Sequence, residues 1–428
     1  MINNWSLKKT DIEWLPVIPN NWVIKRCKYL FKLITEQAPE NNYEELLSVY
    51  TDIGVKPRKD LEQRGNRATT TDNYWLVKKN DIIINKLLAW MGAIGVSEYE
   101  GVTSPAYDIL RPNDGVNPHF YSYLLRNTII HTELKKYSRG IMEMRLRLYF
   151  DELGKVKLPF PPLDVQNKIV RFLNEKLFDI DRYVSSKQKQ IDLLNEQKSA
   201  FINQVVTKGL DSNVKMKDSG IEWIGEIPSN WIVKPLKYYV HMNIETLPES
   251  TDPDYEFEYL DIGNVQTGKI VGDIEKHKFQ NAPSRARRIV ENGNTIISTV
   301  RTYLKAVLYI KNEFSKYIVS TGFAVLKPKK EVIPYFLYLA VQNHPFINMV
   351  TAKSVGASYP AINPTTLGSL KLVVPKDVDE QNKIVEFISA QIKKIDQNIN
   401  SIENQIKLIS EYKHSLIAEA VTGKLKIT

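Results

Sequence analysis

The stretch Ile12–Trp22 reads IEWLPVIPNNW, and Ile221–Trp231 reads IEWIGEIPSNW, 209 positions later. A second echo follows each: Gln166-Asn167-Lys168-Ile169-Val170 returns as Gln381-Asn382-Lys383-Ile384-Val385, 215 positions later. A period this long is a whole domain plus a connector duplicated in tandem, since solenoid units run only about 20–50 residues. Two similar modules in one chain suit a task with two similar half-targets. Trp14, Pro19 and Trp22 correspond to Trp223, Pro228 and Trp231. Trp and Pro interleaved this densely predict an extended segment clamped on a domain by buried rings.

Outward from this signature, each half continues as a mixed α/β region, roughly 23–160 and 232–375. Short β-branched runs, Asp81-Ile82-Ile83-Ile84 and Thr295-Ile296-Ile297, stand between Gly, Asn and Pro turns and predict strands. Asp52-Ile53-Gly54 matches Asp261-Ile262-Gly263, and Ile109-Leu110-Arg111-Pro112 matches Val325-Leu326-Lys327-Pro328. Helical stretches are expected at Phe120–Leu125 and Phe336–Ala340. Between these landmarks the copies differ greatly, so the scaffold repeats while its loops do not.

Each half closes on a long amphipathic segment. Val170, Leu173, Leu177, Ile180, Val184, Lys187, Ile191, Leu194, Lys198, Phe201 and Val205 fall at alternating steps of three and four. Val385, Ile388, Ile392, Ile395, Ile399, Ile402, Ile406, Ile409, Lys413, Leu416 and Ala420 do the same. A seam of period 3.5 held this long is a coiled-coil signal. Pro161-Pro162 and Pro375 precede the helices, and Gly209 and Gly423 mark their stops. About 40 residues at about 1.5 Å each make a rod of roughly 60 Å. Neither seam is stable alone in water, so the two helices are expected to pack on each other. Chain order makes them antiparallel, with one globular domain at each end. The predicted fold is α+β: two similar mixed α/β domains separated by a long antiparallel two-helix coiled coil, with pseudo-twofold internal repeat. The boundaries are 1–163 for the first domain, 164–209 for the central helix, 210–378 for the second domain and 379–428 for the C-terminal helix.

Composition narrows the class. The chain has 428 residues, with 58 Lys and Arg against 49 Asp and Glu, for a net charge of +9. That balance favours a polyanionic partner. Cys27 is the only cysteine, which excludes intrachain disulfides and cysteine-rich zinc sites, and the 6 histidines lack ligand spacing. MINNWSLKK has no apolar core of a signal peptide. The most apolar stretch, Ile82–Val96, is broken by Asn85 and Lys86 and is too short to span a bilayer. A soluble cytoplasmic protein with no membrane association is expected.

No catalytic constellation stands out. The nearest approach to the Asn/Asp-Pro-Pro-aromatic motif of adenine methyltransferases is Asn363-Pro364-Thr365-Thr366, which lacks the second proline and the ring. A Gly-Lys-Ser/Thr phosphate loop is absent. Glu196-Gln197-Lys198 could suggest a nuclease, but Glu411-Tyr412-Lys413 recurs at the same helical register, as a paired helix face would. Neither catalytic nor metal-binding residues are expected.

The motifs together resemble the specificity subunit of Type I restriction–modification systems. The resemblance rests on Lys217–Trp231 (KDSGIEWIGEIPSNW), on Pro161-Pro162-Leu163 followed by Gln166, on Asp379-Glu380-Gln381 followed by Ile384, and on Glu411 to Lys424, with Leu416-Ile417 and Ala420-Val421-Thr422-Gly423-Lys424. It runs from Trp14 to Lys426. It implies two target recognition domains, each reading one half of a split double-stranded DNA sequence, with the helices setting the number of unread base pairs. It further implies that the helices dock two methyltransferase subunits, which bring S-adenosylmethionine and flip out the target adenine. Restriction subunits join through the methyltransferases. No cofactor is expected on this chain, which does no chemistry itself. The first copy departs from the pattern: Asp11 replaces Gly220, Leu15-Pro16-Val17 replaces Ile224-Gly225-Glu226, and Val165 replaces Glu380. These departures put the local backbone path there in question.

Base readout needs polar side chains on loops that enter a groove, and the halves must differ where they read different bases. The candidates in the first half are Arg64, Asn66, Arg67 and Thr69, then Asn85 and Lys86, then Ser138, Arg139, Arg145 and Arg147. In the second half they are Arg285, Arg287 and Arg288, then Ser298, Thr299, Arg301 and Tyr303, then Lys353, Ser354, Ser358 and Tyr359. The loops at Gly140 and Gly356 occupy equivalent slots before each final strand. The alternative is a coiled-coil scaffold linking two protein- or RNA-binding domains. That reading leaves unexplained why similar scaffolds carry dissimilar loops rich in Arg, Ser and Thr.

Overall fold

The computed structural model describes residues 6–51, 53–60, 71–141 and 145–427. The chain divides into two units, Met1–Gln188 with Glu403–Thr428, and Lys189–Ile402. The two long helices, Leu163–Lys208 and Val378–Val421, each contribute one stretch to either unit.

The first unit is built on an antiparallel sheet in the order Phe31–Ile34, Tyr107–Pro112, Ile82–Asn85, Ile94–Val96. In its strand Ile82–Asn85, Ile82 and Ile84 join Phe120, Tyr121 and Leu124 in one core, while Ile83 joins Leu47, Val49 and Ile109 in another. A strand covered on both faces reads as an unbroken apolar run instead of an alternation, which is why three isoleucines stand in a row. The helix Pro118–Arg126 starts on a proline, whose missing N–H costs nothing in a first turn, and the Asn117 side chain accepts from the His119 N–H at 2.9 Å. Val23–Arg26 pairs antiparallel with Lys157–Phe160, so the start and end of the domain are joined beside the central helix.

The second unit repeats this order with Val240–Met242, Phe323–Pro328, Thr295–Ser298 and Val307–Tyr309. Ile297 faces a core with Phe336 and Leu337, and Ile296 faces another with Leu260 and Val319. Trp231–Pro235 pairs with Lys371–Pro375. The units differ beyond the shared sheet. The second unit adds a four-stranded sheet of Glu275–Lys278, Glu256–Leu260, Tyr317–Ser320 and Ala286–Ile289. Its Glu256–Leu260 and Tyr317–Ser320 run parallel. At this place the first unit has two antiparallel pairs, Leu47–Tyr50 with Gly54–Pro57 and Trp75–Val77 with Gly101–Thr103, linked by a parallel bridge from Leu46 to Val102.

Within each unit the long helices run antiparallel. In the first, Lys413 Nζ donates to Asp181 at 2.6 Å and Tyr183 Oη donates to Gln405 at 3.1 Å. In the second, Lys198 Nζ donates to Asp396 at 2.7 Å and the Phe201 and Phe387 rings lie 5.7 Å apart. In both cases partner numbers fall as helix numbers rise. Lys198 and Lys413, the polar seam positions beside Glu196 and Glu411, are thus held in ion pairs across the helix pair.

The repeated motifs are the joints of this scaffold. Gln166 is buried; its Oε1 accepts from the Asn117 N–H at 2.8 Å and its Nε2 donates to Pro161 O at 2.8 Å and Gly115 O at 3.1 Å. Gln381 does the same with the Ile333 N–H at 2.8 Å, Glu331 O at 3.0 Å and Pro375 O at 3.1 Å. The helix stops also seat on the Trp/Pro signature. Gly209, at φ +77°, lies against Trp231 and Pro228, and Gly423, at φ +74°, lies against Pro19 and Trp22. A Cβ at Gly423 would stand 2.4 Å from the Pro19 ring, so only glycine fits there.

Trp22 and Trp231 are buried as the signature predicts, but the clamp is not made of rings throughout. Trp223 is 47% exposed, Trp14 is half-buried, and Ile12 and Ile221 fill the buried places. The departures in the first copy do change the backbone path. Gly220 and Gly225 take φ of +65° and +67° around the turn between Met216–Asp218 and Glu226–Pro228. With Asp11 and Pro16 in their places, the first copy instead forms the longer pair Leu7–Ile12 and Leu15–Pro19.

Candidate nucleic-acid interface

In the second unit the strand Thr295–Ser298 runs into a turn that carries four of the candidate residues, Ser298, Thr299, Arg301 and Tyr303. Ser298 and Thr299 are buried, contrary to their selection as surface contacts. Ser298 Oγ donates to Val300 O, and Thr299 Oγ1 donates to Gly322 O at 2.9 Å, so both hydroxyls are spent inside the fold. The chain then surfaces. Arg301 and Lys305 take φ of +53° each and bracket a single helical turn, Thr302–Leu304. Left-handed backbone costs a non-glycine residue about 1–2 kcal/mol, and such strain concentrates at binding loops.

A second loop, more than fifty residues onward, is fastened to this turn. The Arg301 N–H donates to Pro360 O at 2.8 Å, the Ile362 N–H donates to Thr299 O at 2.9 Å, and the Thr302 and Ser354 hydroxyls are 2.8 Å apart. The Arg301 guanidinium lies 4.9 Å from the centre of the Tyr359 ring. Arg301, Tyr303, Lys353, Ser358 and Tyr359 are all exposed in this pair of loops. Arg285 reaches the same region through the turn at Thr321, whose N–H donates to Arg285 O at 2.8 Å.

Arg287 and Arg288 do not join them. Arg287 stacks 4.4 Å over the Phe279 ring and donates to Ala286 O at 3.0 Å. Arg288 is half-buried, with one nitrogen 3.4 Å from Asn243 O, and burial lowers its pKa from the usual value. Both serve the sheet in which they lie. Lys305 is the residue that sequence reasoning passed over: a second cation four positions after Arg301 was readable, its left-handed backbone was not.

The first unit has the same two-loop joint. The Leu148 N–H donates to Lys86 O at 2.8 Å, as Ile362 does to Thr299. Arg139 and Arg147 exchange backbone hydrogen bonds of 2.9 Å, as Val355 and Ala361 exchange theirs of 2.8 and 3.0 Å. Gly140 and Gly356 therefore occupy the same slot. The loop carries Arg139, Arg145 and Arg147 exposed together. Arg139 also pairs with Glu152, and Lys155 and Arg139 together hold that carboxyl below its ordinary range. Ser138 Oγ is turned back to Leu134 O at 2.9 Å.

Asn85 and Lys86 face inward tasks in this unit. The Asn85 side chain accepts from the Leu87 N–H at 3.1 Å. Lys86 Nζ donates to Pro105 O at 2.7 Å and lies 3.4 Å from Asp108, whose pKa burial raises and Lys86 only partly offsets. Arg64, Asn66, Arg67 and Thr69 lie outside the described residues. Among the described residues, no group of three or more His, Cys, Asp and Glu is placed to hold a metal ion, and no helix is long and apolar enough to cross a membrane.

Comparison with known proteins agrees with this layout. The Type I restriction modification DNA specificity domain matches residues 19–194 and again 245–408, one match to each copy. The chain is 27% identical over 444 residues to the putative type I restriction enzyme MjaX specificity subunit of Methanocaldococcus jannaschii, covering 99% of this chain and 97% of that protein. It is 23% identical over 424 residues to the MjaVIII specificity subunit of the same organism, covering 96% and 94%. In fold it is similar to a chain from a solved structure concerned with complex assembly and conformational transition of the type I R-M system. The TM-score is 0.69 at 13% identity, covering 95% of this chain and 99% of that one. A duplicated scaffold, divergent loops and a family match to both halves lead to one conclusion: the chain belongs to the Type I restriction–modification specificity subunits, the sequence-specific DNA-recognition component of those systems.

Proposed function

We propose that each unit reads one half of a bipartite DNA site through its own pair of joined loops. The first uses the exposed Arg139, Arg145 and Arg147, and the second uses Arg301–Lys305 with Lys353–Tyr359. The observation that carries this reading is the shared joint with unshared loops. The backbone bonds of Leu148 and Ile362 recur, while the exposed side chains they present differ. Matching joints with different heads suit two half-sites of different sequence.

In this reading the chain is non-catalytic and cytoplasmic. Two methyltransferase subunits dock along the long helices and carry S-adenosylmethionine, and restriction subunits join through them. Leu193 and Leu408 support a repeated docking surface: 215 positions apart, they stand exposed at 56% and 64% away from the helix seam. Large apolar side chains left outside at repeated positions fit two copies of one partner.

The test is to co-express the chain with its methyltransferase and map methyladenine by long-read sequencing. A split motif is expected only when this chain is present. Arg145→Ala should relax the first half of that motif and Arg301→Ala the second. The expected cost is about 1–3 kcal/mol if the contact is bidentate to guanine. Equal losses on every DNA sequence would reassign that arginine to a phosphate.

A further inference from the structure

The most regular exposed feature outside the reading loops is a Lys–Tyr pair that occurs once in each unit. Lys28-Tyr29 and Lys237-Tyr238 lie 209 positions apart, each on a single helical turn, Cys27–Tyr29 and Leu236–Tyr238. The turn is anchored identically from inside. Cys27 and Leu236 are buried, and their N–H groups donate to Val156 O at 2.9 Å and Leu370 O at 2.8 Å. The tyrosines, by contrast, stand 61% and 56% exposed. The core has no use for them.

Each lysine is held beside its tyrosine, the ammonium 5.2 Å from the ring centre in one unit and 5.5 Å in the other. Among the described residues this ring, not a carboxylate, is the partner of each ammonium. More exposed cations lie within a few residues of the pair, Arg26 and Lys32 in the first unit and Lys234 in the second, where Lys371 also pairs with Pro235 across the strands. Each turn also abuts the short helix that follows a reading loop. The Lys28 N–H donates to Gly154 O at 3.1 Å, and the Lys237 side chain lies over Gly368.

Chemistry repeated at one place in two units whose reading loops differ must meet a target that is the same at both half-sites. Bases differ between half-sites, but phosphates do not. We infer that Lys28-Tyr29 and Lys237-Tyr238 are paired phosphate contacts that set each unit on the DNA backbone independently of base sequence. The ammonium supplies the charge and the phenol supplies an O–H donor beside it. A protein partner would also be met twice, but the surrounding cations favour a polyanion.

This inference rests on the chain being a DNA reader, and its test is separate from that of the reading loops. Lys28→Ala, Lys237→Ala and the double variant would be prepared as the full chain with its methyltransferase. Each would be titrated with salt on a duplex bearing the recognised site and on one lacking it. The slope of log affinity against log salt should fall by about 0.9 per lysine on both duplexes. Lys→Arg at the same positions should restore it, and the methylated motif should stay unchanged. Tyr29→Phe and Tyr238→Phe should weaken binding with the slope intact. An unchanged slope in the double variant would overturn the inference. So would a loss confined to one half-site, or lost co-elution of the methyltransferase with DNA binding preserved. Failure of the Arg145 or Arg301 variants to alter the motif would bear on the loops, since the lysine variants are read by their own salt slope and leave the motif unchanged.

Discussion

Trp22 and Trp231 fill the same place in the two units, yet their indole nitrogens fare differently. Trp231 Nε1 donates to Glu380 at 2.8 Å, and the other oxygen of that carboxylate accepts from Asn230 at 3.1 Å. In the first copy Val165 stands where Glu380 does, and Trp22 Nε1 is buried with no hydrogen-bond partner among the described residues. One substitution legible in the sequence thus explains an unsatisfied donor that only the coordinates reveal. Glu380→Val should place Trp231 in the same state. Stranding that donor is expected to cost about 1–3 kcal/mol, read as a lower urea midpoint by tryptophan fluorescence. A midpoint equal to wild type would mean that Glu380 adds nothing to the clamp. At this scale chemistry was readable while orientation was not. Ser298, Thr299 and Lys86 have the side chains of base readers, but a buried strand end and the Asp108 carboxylate claim them.

At the scale of elements, periodicity located the strands and helices well because each pattern reflects which faces are covered. The Ile82–Ile84 run is a strand between two cores, and the proline-led helices span Pro118–Arg126 and Pro334–Gln342. The two predicted long helices are observed as Leu163–Lys208 and Val378–Val421. Their seams carry Leu173 and Ile388 fully buried. The glutamines of the repeated Gln-Asn-Lys-Ile-Val motif turn out to be staples. Gln381 ties the Ile333 N–H and the Glu331 carbonyl to the Pro375 carbonyl, more than forty residues onward. Gln381→Ala removes these bonds and is expected to cost about 1–3 kcal/mol. Faster amide exchange at Ile333 would report it, and unchanged exchange there would remove the staple role. The joint between reading loops had no sequence signal. Backbone bonds such as Arg301 to Pro360 join segments far apart and leave no residue signature.

At the scale of the whole molecule, the interval between copies grows from 209 at the Trp/Pro signature to 215 at the helices, so all the extra residues of the second copy precede its helix. The two helices remain in step, and the same Lys–Asp bridge forms in each unit, Lys413 with Asp181 and Lys198 with Asp396. These bridges are partly exposed, so each contributes at most about 1 kcal/mol and serves register more than stability. If the helices measure the unread stretch of DNA, four residues inserted near Ser185 should lengthen it by a fixed number of base pairs. Both half-sites should stay the same. Methyladenine sequencing that returned the original motif from the insertion variant would sink the ruler.

The duplication, the order of elements, the seams and the absence of disulfides were decided by residue identity, because buried strands, proline-led helices and heptads each impose a local pattern on the chain. Which cations stay free was decided by tertiary structure alone. Arg287 and Arg301 are the same residue type on nearby segments. Phe279 lies under the first, and a left-handed turn holds the second out beside the exposed Tyr359. Exposure depends on what the rest of the chain brings alongside, and that information is spread over contacts between distant segments. The IEW…NW signature of each half therefore announced two matching domains, while the fold determined which side chains of each are left to read.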